Sequence, residues 1–178
     1  MAEILYNQIK SEYDDFYKSL LKTGKLPLRA TEKGFWGSAV ADEVFEAFKK
    51  INLQTYNKFL DIGSGDGKVV LIASLFVQNA VGIEIDKELY DKSLEIKEKI
   101  GIKNANFFLA DFFNCNFSEY DVLFCNPDEP IERKLEAKLI KEMEGILIFY
   151  GSIFPPKKLK KEMEFEISGT NVGVYRKV

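Results

Sequence analysis

Residues 59–70 read Phe59-Leu60-Asp61-Ile62-Gly63-Ser64-Gly65-Asp66-Gly67-Lys68-Val69-Val70. An apolar strand here runs into three glycines at alternate positions, and an apolar, helix-like run follows. Glu84 comes seventeen residues after Gly67, at the end of a second apolar strand. A strand, a glycine loop, a helix and a second strand that ends in an acid are typical of a nucleoside-binding βαβ unit.

The spacing of the glycines excludes two common kinds of phosphate-binding loop. A triphosphate loop has the pattern GxxxxGK followed by Ser or Thr, but Ile62 and Val69 stand at its first-glycine and hydroxyl positions. A dinucleotide loop has the pattern GxGxxG, and Lys68 occupies its third glycine position. The observed GxGxG favours a nucleoside without a pyrophosphate, because glycine lets a ligand approach the main chain closely.

Strands and helices alternate along most of the chain, which predicts a parallel sheet covered by helices on both faces. The predicted helices span 2–22, 39–51, 66–77, 87–99 and 131–143, and the predicted strands span 57–62, 80–85, 105–110, 121–125 and 146–151. Met163, Phe165 and Ile167 alternate with glutamates and predict a further strand, which pairs with one through Val172 and Val174. The predicted fold class is α/β: a Rossmann-like, doubly wound, seven-stranded, mainly parallel sheet with a C-terminal antiparallel hairpin, preceded by N-terminal helices.

The length of 178 residues predicts a single domain. We expect residues 1–51 to form an N-terminal helical extension and residues 57–178 to form the core that carries the glycine loop. Between the two N-terminal helices, residues 26–37 read as an irregular connector. Ser38 is the expected N-cap of the second helix.

Composition limits the chemistry open to the chain. The absence of histidine excludes Ser-His-Asp and Cys-His catalysis and histidine metal sites. Cys115 and Cys125 form no CxxC pattern, so we expect free thiols and no metal. The net charge of −3 weakens a nucleic-acid-binding interpretation. No apolar run could cross a bilayer and the N-terminus lacks a basic start, so we expect a cytoplasmic location without a membrane partner.

The stretch from Asp61 to Gly67 resembles the first motif of class I S-adenosylmethionine (SAM)-dependent methyltransferases. The resemblance covers residues 57–178 and implies SAM as the cofactor. It implies that the glycine loop wraps the amino-acid end of SAM and that Asp61 helps to hold the ammonium. Glu84 matches the acid that holds both ribose hydroxyls, since a carboxylate accepts two hydrogen bonds side by side.

The same resemblance assigns the adenine end of SAM to Asp111 and Phe112. Asp111 would accept a hydrogen bond from the exocyclic amine, and Phe112 would lie on the ring face. The full set of predicted cofactor-binding residues is Asp61, Gly63, Ser64, Gly65, Gly67, Glu84, Ile85, Asp111, Phe112 and Asn126.

The predicted reaction end of the sheet carries Asn126-Pro127-Asp128-Glu129. Methyltransferases that act on base or glutamine nitrogens often have Asn/Asp-Pro-Pro followed by Tyr or Phe at this place. Here the second proline and the aromatic are missing, so a flipped base lacks its stacking partner. Two acids suit an amine substrate better, because carboxylates hold the amine and help carry its proton away. The predicted catalytic residues are therefore Asn126, Asp128 and Glu129.

The predicted function is methyl transfer from SAM to a nitrogen acceptor on a macromolecule. The motifs are also similar to those of small protein lysine methyltransferases, which implies a protein lysine as the acceptor. Two alternatives stay open: an RNA (tRNA or rRNA) methyltransferase, and a SAM-binding partner protein without chemistry. The Gly34–Ser38 segment, with its Phe35-Trp36 pair, is expected either to cover the pocket or to staple the N-terminal helices to the core.

Overall fold

The computed structural model describes residues 2–31, 34–127, 130–131 and 134–178, with only the backbone of Arg29. Its helices are α1 (Ala2–Lys22), α2 (Ala41–Lys50), α3 (Lys68–Ala73), α4 (Lys87–Ile100) and α5 (Leu135–Glu142). Its strands are β1 (Leu28–Thr31), β2 (Gly34–Gly37), β3 (Lys58–Ile62), β4 (Asn79–Glu84), β5 (Ala105–Leu109), β6 (Val122–Cys125), β7 (Ile146–Tyr150), β8 (Lys160–Ile167) and β9 (Thr170–Arg176).

Seven strands form the main sheet in the order β5-β4-β3-β6-β7-β9-β8. The five strands from β5 to β7 are parallel to their neighbours, whereas β9 pairs antiparallel with both β7 and β8. The chain runs from β3 outward to β5 and then returns to place β6 on the other side of β3. Ligands of open α/β sheets bind at such a reversal, outside the carboxyl ends of the strands. The predicted fold class is confirmed.

The central strands are buried on both faces, which explains their continuous apolar sequences. Phe59 and Phe124 point into a core shared with α1 to α4, whereas Leu60 and Leu123 point into a second core. Leu139 of α5 contributes to this second core. The sheet is thus covered on both sides, as the alternation of strands and helices predicted.

Helix α1 spans the predicted residues 2–22 and packs against α3 and α4. Its buried face consists of Tyr6, Ile9 and Tyr13, which recur at intervals of three and four residues. No helix within the described ranges is both long enough and apolar enough to cross a membrane.

Three predicted elements differ from the structure. The connector 26–37 contains the antiparallel hairpin of β1 and β2, with Arg29 opposite Trp36. Helix α3 has only six residues, because the left-handed Gly67 (φ +84°) starts it late and a series of turns follows Ala73. Helix α5 begins at Leu135 and not at 131.

The cap predicted at Ser38 is also wrong, because Val40 occupies the N-cap position of α2. The Ser38 hydroxyl instead lies 2.5 Å from the hydroxyl of Tyr17 on α1. Asp86 does cap α4, where its side chain accepts from the Leu89 amide, and the left-handed Gly101 ends that helix.

Candidate active site

A cavity of about 610 Å³ opens at the carboxyl ends of β3, β4 and β6. It is lined at one end by Glu84 and Asp111, in the middle by the glycine loop, and at the other end by Asn126. Among the predicted cofactor residues, Gly67 alone is absent from the lining that the structure describes. Residues that are far apart in sequence thus share one concave surface, as expected of a small-molecule site.

The three glycines of the loop have different surroundings. A side chain at Gly63 (φ +75°) would meet no atom within 4 Å, so this part of the loop is open to a ligand. A Cβ at Gly65 would lie 2.7 Å from the indole of Trp36, which covers the loop from outside. A Cβ at Gly67 would lie 2.5 Å from the Cβ of Ser93 and 2.7 Å from the Phe107 ring. Gly67 therefore allows the loop to pack on the core and does not face the cavity.

Glu84 connects the end of β4 to the glycine loop. Its Oε2 accepts from the Gly65 amide at 2.7 Å, and its Oε1 accepts from the amides of Ile85 and Asp86 at 2.8 Å each. Hydrogen bonds from amides to a carboxylate are stronger than those between neutral groups. The carboxylate is therefore held in one orientation at the cavity wall before any ligand arrives.

Asp61 is a buried acid at the end of β3, and its side chain lines the cavity. Burial raises the pKa of its carboxyl well above the ordinary value, and the charges of Glu84 and Asp66 raise it further. No donor or cation among the described residues contacts the carboxylate. A positively charged ligand group would supply the partner that the protein does not provide.

The raised pKa of Asp61 leads to a prediction about stability. The folded protein holds this proton more tightly than the unfolded chain, so the group's contribution is fully present below a pH of about 4 and is lost as the pH rises through the raised pKa. Replacing Asp61 with Asn removes this titration. We expect Asp61→Asn to stabilise the ligand-free protein, by an amount that grows between pH 5 and pH 8 in urea denaturation.

The exposed acid Asp15 provides the control for this experiment, and Asp15→Asn should change the stability little at any pH in this range. A stability gain for Asp61→Asn that does not change with pH would contradict the assignment of a raised pKa to this residue.

Asp111 and Phe112 lie at the end of the cavity beyond Glu84. The Asp111 side chain accepts from the Phe113 amide at 3.0 Å and so caps a short 3₁₀ helix, Phe112–Asn114. The ring of Phe112 is half-buried and lies 4.7 Å, centroid to centroid, from that of Phe113. This end of the cavity therefore offers aromatic surface beside an acid.

Asn126 lies at the opposite end, and its Nδ2 donates to the carbonyl of Gly37 at 3.3 Å. This bond ties the loop after β6 to the end of β2. The other two predicted catalytic residues, Asp128 and Glu129, lie outside the described residues. Within the described ranges, no group of three or more acids or cysteines could hold a metal ion.

The Gly34–Ser38 segment serves both of its expected roles through different residues. Trp36 is buried against Gly65 and fastens the β1–β2 hairpin to the glycine loop. Phe35 is 49% exposed and lines the mouth of the cavity. The hairpin therefore covers the loop with one aromatic residue and offers the other to the entrance.

Helix α1 also reaches the glycine loop, which the sequence did not indicate. The Tyr17 hydroxyl donates to Asp66 Oδ2 at 2.5 Å, and the Tyr13 hydroxyl donates to the Asp66 carbonyl at 2.8 Å. The interval of four residues between the tyrosines places both on one face of α1 and was the available signal. The N-terminal helix thus holds the loop that forms the centre of the cavity.

Comparison with known proteins shows where this fold and site recur. A 35% identical match over 99 residues is the human lysine N-methyltransferase named for the ATP synthase C-subunit, with 54% of this chain and 42% of that protein covered. The mouse protein of the same name is 34% identical over 85 residues, which cover 45% of this chain and 34% of that protein. This chain thus spans less than half the length of these relatives.

Solved structures show the same fold at low sequence identity. An RNA methyltransferase from Salinibacter ruber, in complex with S-adenosyl-L-homocysteine, superposes with a TM-score of 0.67 at 23% identity over 78% of this chain and 92% of that one. The putative methyltransferase yhhF from Escherichia coli gives 0.61 at 17% identity, over 79% and 88% of the two chains.

The family model described as "Histone methylation protein DOT1" matches residues 29–150, which include the hairpin, the glycine loop, Glu84, Asp111 and Asn126. The match covers more than half of the chain and all the elements around the cavity. The chain therefore belongs to the DOT1 family, within the class I SAM-dependent methyltransferases.

Proposed function

We propose that this protein transfers the methyl group of SAM to the side-chain amine of a lysine in a protein substrate. The observation that carries the proposal is the single cavity that joins Glu84 and the glycine loop to Asn126. Such a cavity can hold the cofactor at one end and admit an acceptor at the other. Membership of the DOT1 family and the lysine methyltransferase names of the relatives support the choice of acceptor.

The residues around the cavity suit SAM chemically. Asp61 offers an unpartnered carboxylate to the ammonium of the methionine end. Glu84 presents oxygens that can also accept from ribose hydroxyls, and Phe112 offers a ring face to the adenine. When bound, SAM supplies a methyl group on a positively charged sulfur. The buried acids Asp61, Asp66 and Glu84 complement that charge.

The other end of the cavity suits an amine acceptor. The Asn126 amide nitrogen is used in its bond to Gly37, which leaves the side-chain oxygen able to accept from a substrate N–H. The acceptor lysine must lose a proton before its nitrogen attacks, and water at the cavity mouth can take that proton, because the chain has no histidine. Phe35 would contact the apolar stem of the lysine. The protein's part is to orient the two reactants in line.

The two alternatives have less support. An RNA substrate requires a basic surface, whereas the net charge is −3 and the cavity lining carries several acids. The RNA methyltransferase among the structural neighbours is a likeness of fold at 23% identity. A SAM-binding partner protein without chemistry does not account for an open cavity end beyond the glycine loop.

Incubation with methyl-labelled SAM and a fractionated lysate tests the proposal. We expect label that is removed by protease, that survives nuclease, and that yields methyl-lysine after acid hydrolysis. Nuclease-sensitive label would replace the proposal with the RNA alternative. Bound SAM with no transfer to any fraction would favour the partner protein without chemistry.

Replacement of Asn126 gives a sharper test of the acceptor end. We expect Asn126→Ala to lower kcat about 10- to 50-fold by loosening the acceptor, with less than about a threefold change in the affinity for S-adenosyl-L-homocysteine. Steady-state kinetics on the identified substrate and calorimetry measure the two effects. Asn106→Ala, at the amino end of β5, is the control and should change neither. An equal loss of affinity would instead assign Asn126 to the cofactor.

A further inference from the structure

Lys68 is a buried cation to which neither its sequence position nor the family resemblance gives a role. It is the first residue of α3, directly after the glycine loop, and it lines the cavity although only 4% of it is exposed. Its Nζ lies 4.8 Å from the ring centroid of Tyr17 and 5.8 Å from that of Tyr13. Burial lowers the pKa of this ammonium, while Asp66 and Asp14 oppose that effect.

The ammonium of Lys68 has no ion-pair partner among the described residues. The nearby acid Asp66 is engaged elsewhere: its Oδ2 accepts from Tyr17, and its Oδ1 accepts from the main-chain amide of Lys68 itself at 3.2 Å. Aromatic rings compensate a buried cation only in part. An unpaired buried charge is costly, so its retention at a cavity wall indicates an anionic ligand group.

Asp61 is the matching feature of opposite charge. It is a buried acid without a donor, and it precedes the glycine loop as Lys68 follows it. The loop is therefore flanked by one unpartnered acid and one unpartnered base that both line the same cavity. A ligand group that carries an ammonium and a carboxylate on one carbon, as an α-amino acid does, satisfies both.

We propose that Lys68 binds the carboxylate of the methionine end of SAM, opposite the ammonium held by Asp61. This inference rests on the proposed function, because it requires SAM as the cofactor. Tyr13 and Tyr17 of α1 enclose the Lys68 side chain and limit its hydration, which strengthens its attraction to a carboxylate. The N-terminal helix thereby becomes part of the cofactor site.

Three ligands that differ only at the amino-acid end test the inference by calorimetry. S-adenosyl-L-homocysteine carries the ammonium and the carboxylate, its decarboxylated amine analogue keeps only the ammonium, and 5′-methylthioadenosine has neither. We expect Lys68→Met to weaken binding of S-adenosyl-L-homocysteine about 10- to 100-fold and to change the other two affinities less than about twofold. Lys68→Arg should restore part of the loss.

Lys50→Met is the matched control, because the Lys50 Nζ also lies over an aromatic ring, that of Phe165, but outside the cavity. It should leave all three affinities unchanged. The unmodified protein provides a second measurement, independent of how the variants fold: it should bind S-adenosyl-L-homocysteine at least about 10-fold more tightly than the amine analogue.

Each outcome separates the inference from the proposed function. If the unmodified protein binds S-adenosyl-L-homocysteine but does not distinguish it from the amine analogue, Lys68 is not a carboxylate ligand. An equal loss for all three ligands in Lys68→Met would assign the residue to the packing of the loop. Failure of the unmodified protein to bind S-adenosyl-L-homocysteine would overturn the proposed function and this inference together.

Discussion

Replacing Glu84 with alanine should weaken binding of S-adenosyl-L-homocysteine about 100-fold or more. The carboxylate accepts from the amides of Gly65, Ile85 and Asp86, so its loss releases the glycine loop from the end of β4. It also removes the proposed acceptor of the ribose hydroxyls. Two lost charge-assisted hydrogen bonds correspond to about 3 kcal/mol, or about two powers of ten in affinity. Isothermal calorimetry at constant ionic strength measures the effect.

The exposed acid Glu98 on α4 provides the control, and Glu98→Ala should leave the affinity unchanged. A ligand without the 2′- and 3′-hydroxyls separates the two roles of Glu84. If the variant loses as much affinity for this analogue as for S-adenosyl-L-homocysteine, Glu84 acts only by holding the loop. An unchanged affinity for both ligands would refute any part for Glu84 in the site.

The second large effect is expected on stability, from Gly67→Ala. The new Cβ would meet Ser93 at 2.5 Å and Phe107 at 2.7 Å, so α4 and β5 would have to move away from the loop. Overpacking of this kind costs about 1–3 kcal/mol, and a positive φ adds about 1–2 kcal/mol for any residue with a Cβ. We expect the free energy of unfolding to fall by about 2–5 kcal/mol in urea denaturation.

Gly63→Ala is a matched comparison, because Gly63 has a similar φ of +75° but no neighbour within 4 Å of a new Cβ. It should cost only the backbone strain, about 1–2 kcal/mol. Its added methyl group lies on the open side of the loop, so cofactor affinity should fall more than stability. Equal losses of stability in the two variants would show that the contacts of Gly67 with Ser93 and Phe107 do not matter.

Local periodicity was a good guide wherever an element is amphipathic. Helix α1 and the terminal hairpin of β8 and β9 follow from apolar residues at intervals of four or two. The limits of α3 did not follow, because all six of its residues are buried and no polar face marks its ends. The β1–β2 hairpin escaped notice because its strands are four residues long and depend on contacts with Gly65 and Asn126.

The same distinction applies to the site. The glycine loop, Glu84, Asp111 and Asn126 could be selected from residue order, because each follows a predicted strand and parallel strands bring their carboxyl ends to one edge. Asp66 and Lys68 could not be interpreted in that way. Their partners, Tyr13 and Tyr17, belong to a helix about fifty residues earlier in the chain.

Residue order alone was therefore enough to establish a nucleoside site on a parallel α/β sheet, because alternating patterns and glycine spacing act over short distances along the chain. The electrostatic character of the site arose only on folding. Burial beside Glu84 and Asp66 raises the pKa of Asp61, and enclosure by α1 leaves Lys68 without a counter-ion among the residues that the structure describes. Both effects depend on the removal of water by distant segments, and no stretch of the chain encodes that removal by itself.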